Sequence, residues 1–221
     1  MDVVNVVIPA VWQAGAFALL APWLVWAALT APWRRFDASQ AAHVWYGTIF
    51  GVIVLWSIKA TIPSGLTFHL LGVPLLTLLA GPQLALIGTA LVVVIVTALR
   101  DGWWANCGLN VVALGLTPVL LTATALRATE RWLPPNFFVY IFVAAFFGPG
   151  VAMFVAGLVT STAVLASGAL PATLIYDQYL PYLLYLGFAE ATITGMLTTL
   201  LVVYRPAWVT TFDDARYLRD R

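Results

Sequence analysis

Seven long apolar segments limit the fold of this chain more than any other feature of its sequence. They cover roughly residues 4–30, 42–59, 68–81, 83–99, 108–126, 137–167 and 180–204. Crossing a hydrocarbon core of about 30 Å takes roughly 20 helical residues. Only 9% of the residues are charged, too few to cover a water-exposed surface. The sequence therefore predicts one all-α membrane domain, residues 1–221, a polytopic integral membrane protein with about seven transmembrane helices.

Two of these segments have unusual lengths. Segment 68–81 would extend only about 21 Å as a helix, whereas segment 137–167 would extend about 46 Å. The long segment is interrupted by Gly148-Pro149-Gly150, where proline removes a backbone donor. We therefore expect a kink or a steep tilt there.

The positive charges predict an orientation. With seven spans, eight of the ten Lys and Arg residues fall on one face, and Lys59 and Arg100 fall on the other. The positive-inside rule then places the N-terminus outside, and residues 205–221 form a cytoplasmic tail. We expect a multi-pass protein of the bacterial inner membrane. The eight residues are Arg34, Arg35, Arg127, Arg131, Arg205, Arg216, Arg219 and Arg221.

Tryptophans and small residues add two expectations about the surface. Trp56, Trp103 and Trp104 fall near the predicted outer interface, where indole rings anchor membrane helices. In the first segment, small residues stand four apart and line one face that another helix could approach closely. They are Ala10, Ala14 and Ala18.

The two histidines lie on opposite sides of the predicted membrane. His43 opens the second segment at the cytoplasmic end, and His69 opens the third at the outer end, so they cannot share a metal ion. His69 is either a helix-start residue held by loop carbonyls or a ligand in a site with several converging groups. Such a site would draw on outer-face residues, namely Met1, Asp2, Asn5, the loop 60–68, Asp101, Asn106, Cys107, Asn110 and the loop around Asp177.

Glu190 lies about ten residues into the seventh segment, near the middle of the predicted membrane. An ionisable group at that depth is costly and must face the protein interior. It would relay protons, attract a cation, or join helices by hydrogen bonds to a partner such as Thr192, Thr194 or Asn110.

Several function classes are excluded by what the sequence lacks. It contains no HExxH, GxSxG or P-loop motif, so we expect no enzyme and no ATP hydrolysis by this chain. The basic residues form no patch for nucleic acid. The single Cys107 excludes internal disulfides.

The run from Ile62 to Asn110 resembles the CbiM/NikM-type substrate-binding membrane component of energy-coupling-factor transporters for cobalt and nickel. The matching features are a Pro/Gly-rich loop before His69-Leu70-Leu71-Gly72, then Gly81-Pro82, then Gly108-Leu109-Asn110. The glutamate of that family's last helix is similar to Glu190. The resemblance implies seven helices with an outward N-terminus.

The resemblance also implies a metal site formed by the N-terminus. In the family the ligands are the terminal amine, a backbone amide nitrogen, the side chain of a histidine at the second position and the histidine of the His-Leu-Leu-Gly sequence. Carried over, these correspond to Met1, Asp2 and His69. Asp2 stands where the family has histidine. Its carboxylate would give a harder site, or the chain would no longer bind that metal.

The resemblance implies the membrane-embedded substrate-capture subunit of an energy-coupling-factor-type ABC transporter, importing a divalent transition metal such as cobalt or nickel. Its partners would be a transmembrane coupling protein, cytoplasmic ATPases and the lipid bilayer. The metal would be cargo, with no permanent cofactor. The alternative is a non-transporting accessory or assembly protein on the same scaffold, and a proton or cation channel built on Glu190 is a third hypothesis.

Overall fold

Helices dominate the structure, a computed structural model that describes residues 2–3, 6–34, 39–61, 66–100 and 102–217. Within those residues, five helices are long and apolar enough to cross a membrane. They are α1 (Ala10–Thr30), α4 (Pro82–Leu99), α5 (Trp104–Trp132), α6 (Phe137–Ala166) and α8 (Leu180–Tyr204). The chain is therefore a multi-pass membrane protein, while the total of seven spans and the orientation stay predictions.

The remaining helices are shorter or less apolar. Helix α2 (Ser39–Ser57) has 19 residues and corresponds to the second predicted segment. Helix α3 (Val73–Ala80) has eight. Helices α7 (Ala172–Gln178) and α9 (Asp214–Tyr217) lie outside the predicted spans, before and after α8.

Helix starts differ from the sequence prediction in the first and third segments. Residues 6–9 are not helical, and α1 begins only after Pro9. Residues 68–72 are not helical either, because Thr67–Phe68 (β2) pairs antiparallel with Ala60–Thr61 (β1). Gly72 then adopts a left-handed conformation with φ 64° before α3 starts. The structure thus shortens the third segment to a helix of about 12 Å.

The Gly148-Pro149-Gly150 sequence coincides with a change of helix type. Within α6, residues Tyr140–Phe147 are π-helical and the α-helix resumes at Gly148. Proline at 149 has no N–H for the α-helical hydrogen bond, and wider turns are common where the regular pattern is interrupted. Gly150 also permits close packing, since a Cβ there would lie 3.1 Å from the carbonyl oxygen of Gly187 in α8.

Helix α3 lies in the interior, with seven of its eight residues buried. The segment after α8 holds its C-terminal end. Thr210 N donates to Leu79 O at 3.2 Å, and the Thr211 hydroxyl donates to Leu78 O at 2.8 Å. The Tyr140 hydroxyl lies 2.9 Å from the Thr211 hydroxyl, which links the π-helical part of α6 to the same point.

Candidate metal site

The N-terminal segment folds back onto the hairpin that precedes His69. Val3 forms an antiparallel bridge with Leu66. The N–H of Val3 donates to Asn110 Oδ1 at 2.9 Å. Asn106 Nδ2 donates to the carbonyls of Val3 and Val6 at 2.8 and 2.9 Å. Two asparagines of α5 therefore fix the main chain next to Asp2.

Asp2 is buried, and the structure gives both of its carboxylate oxygens a partner. Oδ1 accepts a hydrogen bond from the Thr67 hydroxyl, and Oδ2 lies 2.8 Å from Arg100 Nη1. Arg100 also donates from Nη2 to the carbonyl of Trp56. The charge at the second position is thus neutralised by a cation from the end of α4. Met1, the other predicted N-terminal ligand, lies outside the described residues.

The two ring nitrogens of His69 have different surroundings. Nδ1 lies 3.0 Å from the carbonyl oxygen of Leu70, so this nitrogen carries the proton. Nε2 is buried, and no hydrogen-bond partner for it occurs among the described residues. His69 precedes α3, outside the helices, and burial lowers its pKa to about 3. The imidazole is therefore neutral, and Nε2 carries the lone pair that a metal ligand requires.

Trp56 packs against this imidazole, which corrects its sequence-based placement as an interfacial anchor. It is 1% exposed, and its ring centroid lies 4.6 Å from that of His69. Its indole N–H donates to Leu71 O at 2.8 Å. Trp103 and Trp104 are exposed, as expected of anchors.

Glu190 holds the main chain directly after His69. Its carboxyl oxygens accept hydrogen bonds from Leu71 N at 2.8 Å and Gly72 N at 2.9 Å. Among the three partners predicted for it, Thr194 donates at 3.5 Å, whereas the Thr192 hydroxyl donates to Phe188 O and Asn110 binds Val3. Glu190 thus ties α8 to the non-helical segment between β2 and α3.

Other predicted supporting groups contribute less or lie outside the described part. The Cys107 thiol is 3.5 Å from the Thr97 hydroxyl. Asn5 and Asp101 are not among the described residues. Within the described ranges there is no group of three or more His, Cys, Asp and Glu side chains able to hold a metal. A metal ion at His69 would therefore need main-chain or N-terminal nitrogens as further ligands.

Sequence reasoning missed Arg100 and Trp56 as parts of this site. Arg100 was expected only as an outer-face charge. Its pairing could have been suspected, since a buried carboxylate at the second position needs a cation, and Arg100 and Lys59 are the two cations on that predicted face. Trp56 carried no comparable signal, because its position near a segment end is also typical of an interfacial anchor.

Two solved structures have a fold similar to that of this chain. The chain is similar to a crystal structure of a truncated transition metal transporter, with TM-score 0.75 and 19% identity over 92% of this chain and 99% of that one. A crystal structure of a transition metal transporter gives TM-score 0.73 and 20% identity over 91% and 92%. At such identities the likeness shows the fold. No curated protein matches the sequence. Residues 3–208 match the family described as the CbiM cobalt uptake substrate-specific transmembrane region, and the chain therefore belongs to that family.

Proposed function

We propose that this protein is the substrate-capture subunit of an energy-coupling-factor-type ABC transporter that imports a divalent transition metal such as cobalt or nickel. The observation that carries the proposal is the buried Nε2 of His69, which lacks a hydrogen-bond partner in the described part of the chain. An unpaired buried nitrogen is costly unless a ligand occupies it. His69 follows Leu66, the residue with which Val3 of the N-terminal segment forms a bridge.

The proposed ligands are His69 Nε2, the terminal amine of Met1 and the main-chain nitrogen of Asp2. The Asp2 carboxylate is engaged by Arg100 and Thr67, so Asp2 enters the ligand set through its main chain. Nitrogen donors suit late first-row metals, and affinity at a given site rises from cobalt to nickel to copper. Metal availability would then decide which ion is imported.

Asn110 and Glu190 would act as positioning residues. Asn110 fixes Val3, next to the proposed main-chain ligand, and Glu190 fixes Leu71 and Gly72, next to His69. Outer groups of this kind set the orientation of metal ligands. Both halves of the proposed site are thus held by hydrogen bonds from helices that do not carry the ligands.

Transport through this site requires partners, because the sequence contains no nucleotide-binding motif. We propose a transmembrane coupling protein and cytoplasmic ATPases in the bacterial inner membrane. Ala10, Ala14 and Ala18 are exposed on α1, so this small-residue face is available to another helix.

Metal content of the purified protein tests the proposal. Wild type, His69→Ala and a variant extended by two residues before Met1 would be loaded with cobalt, nickel, copper or zinc and measured by mass spectrometry. We expect one ion per wild-type chain and loss in both variants, while His43→Ala keeps the ion. An unloaded wild type would refute metal capture, and binding that survives loss of His69 would refute the assigned site.

The Asp2–Arg100 ion pair favours one alternative, an accessory or assembly protein on the same scaffold. The pair neutralises the charge of Asp2 and ties the N-terminal segment to the end of α4 without a metal ion. Its test is co-purification of the full-length protein from its native membrane. Recovery with a membrane complex that contains no ATPase, together with an unloaded wild type, would favour this function over uptake.

A further inference from the structure

A groove between α5 and α6 combines an apolar wall with two cations. We call it the α5–α6 groove, and it has a volume of about 590 Å³. Its lining residues belong to α5 and α6, and none of them belongs to the candidate metal site. The residues that line it are Leu121, Thr124, Ala125, Arg127, Ala128, Arg131, Trp132, Val143, Phe147, Gly148 and Val151.

The floor of the groove is formed where Gly148 of α6 packs against Ala125 of α5. A Cβ on Gly148 would lie 3.1 Å from the Cβ of Ala125, so a larger residue there would be crowded. On either side of the floor, larger apolar side chains form the walls. Phe147 and Val151 remain 60% and 55% exposed, so a wide apolar surface is open to lipid.

The cations stand at one end of the groove. Arg127 and Arg131 are four residues apart on α5, so they share one helix face, with side chains about 5–6 Å apart at their bases. Both are exposed, and no ion pair involving either is found in the described part of the chain. Arg216 donates to the carbonyl of Glu130, which brings a third guanidinium to this end of α5.

The dimensions fit a membrane lipid. Leu121 and Arg131 are ten residues apart, about 15 Å along the helix, which is half of a typical hydrocarbon core. Trp132, 74% exposed beside Arg131, marks the level of the headgroups. Both arginines also belong to the face predicted to be cytoplasmic, the side on which basic pockets between helices recognise anionic headgroups.

We propose that the α5–α6 groove binds one anionic phospholipid, with its phosphate between Arg127 and Arg131 and one acyl chain along Phe147, Gly148 and Val151. Guanidinium groups bind phosphate oxygens through paired N–H donors. The apolar wall favours a lipid over free phosphate, because the wall would contribute nothing to an ion that has no acyl chain. The inference is independent of metal binding at His69.

Native mass spectrometry with added lipid tests the site. We expect wild type to retain phosphatidylglycerol in preference to phosphatidylcholine with the same acyl chains. Arg127→Gln/Arg131→Gln should bind phosphatidylglycerol about 30-fold more weakly, the effect expected from removing two interfacial cations. Arg205→Gln, on the same predicted face but outside the groove, serves as the matched control and should bind like wild type.

A second variant tests the apolar wall without changing charge. Val151→Trp fills the groove and should weaken phosphatidylglycerol binding although both arginines remain. Wild type alone supplies a further measurement, because phosphatidylglycerol should raise its melting temperature more than phosphatidylcholine does. The proposal is overturned by undiminished binding in the double arginine variant, by no effect of Val151→Trp, by displacement of the lipid by equimolar inorganic phosphate, or by equal stabilisation from both lipids.

Discussion

Replacing Glu190 by glutamine tests whether this side chain holds the His69 segment. Two buried main-chain donors, Leu71 N and Gly72 N, bind its two carboxyl oxygens. Glutamine keeps one oxygen and places an NH₂ group opposite the second donor, which leaves that donor unsatisfied. A buried unsatisfied donor costs about 1–3 kcal/mol. We expect a loss of about 2 kcal/mol in local stability, which corresponds to about 30-fold more frequent opening of this segment.

Hydrogen–deuterium exchange of peptides that cover residues 66–76 measures that opening. Exchange should accelerate there in Glu190→Gln. It should stay unchanged in α6, because the two main-chain hydrogen bonds of Glu190 go to Leu71 and Gly72 and not to α6. Thr194→Val is the matched control, because its hydroxyl reaches Glu190 only at 3.5 Å and the shape of the side chain is kept. Exchange at wild-type rate in Glu190→Gln would refute the positioning role, as would equal acceleration in Thr194→Val.

Three further predictions concern stability, each measured as the free energy of unfolding in detergent. Asp2→Asn leaves the Arg100 side chain, which is 14% exposed, without its carboxylate and should cost about 3 kcal/mol. The control Asp177→Asn, at an exposed position, should cost little. Equal stability of Asp2→Asn and wild type would exclude a structural ion pair. Gly72→Ala should cost about 3 kcal/mol, because Gly72 has φ 64° and an added Cβ would lie 3.1 Å from Val52 Cγ2. Gly168→Ala should cost about 1 kcal/mol, because Gly168 has a similar φ of 68° but open space around it. Identical costs for the two variants would contradict the steric argument. Thr211→Val removes the hydrogen bonds to Leu78 O and the Tyr140 hydroxyl and should cost about 2 kcal/mol. Thr124→Val should be neutral, because the Thr124 hydroxyl is exposed and bonded within its own helical turn. A larger cost for Thr124→Val than for Thr211→Val would be inconsistent with a link to α3.

The membrane helices and one half of the site follow from local sequence patterns. Hydropathy is set by consecutive residues, so α4 and α8 agree with the predicted segments 83–99 and 180–204 within one residue. His69 was selected because an imidazole at a segment start is rare, and because the sequence around it resembles a family. The structure adds that Nε2 is buried with no hydrogen-bond partner among the described residues, which no sequence pattern could reveal.

The contacts that complete the site join residues far apart in the chain. Leu71 and Glu190 are separated by 119 positions, and Asp2 and Arg100 by 98. One sequence contains no information on such pairings beyond charge and burial. Hydropathy also does not predict the late start of α1, because residues 6–9 are largely apolar. They belong instead to the non-helical segment that Asn106 binds through the carbonyl of Val6.

Helix α3 has a mechanical consequence that its length alone does not suggest. It is a rigid helix of eight residues, and a glycine with positive φ lies at each end, namely Gly72 and Gly81. At one end, Gly72 N donates a hydrogen bond to the Glu190 carboxyl group. At the other end, the carbonyls of Leu79 and Leu78 accept hydrogen bonds from Thr210 and Thr211. A displacement of the chain after α8 would therefore be transmitted to the His69 segment through helix α3. Because the helix is rigid, its two ends move together, and it can turn relative to the flanking chain only if Gly72 or Gly81 rotates or one of these hydrogen bonds breaks.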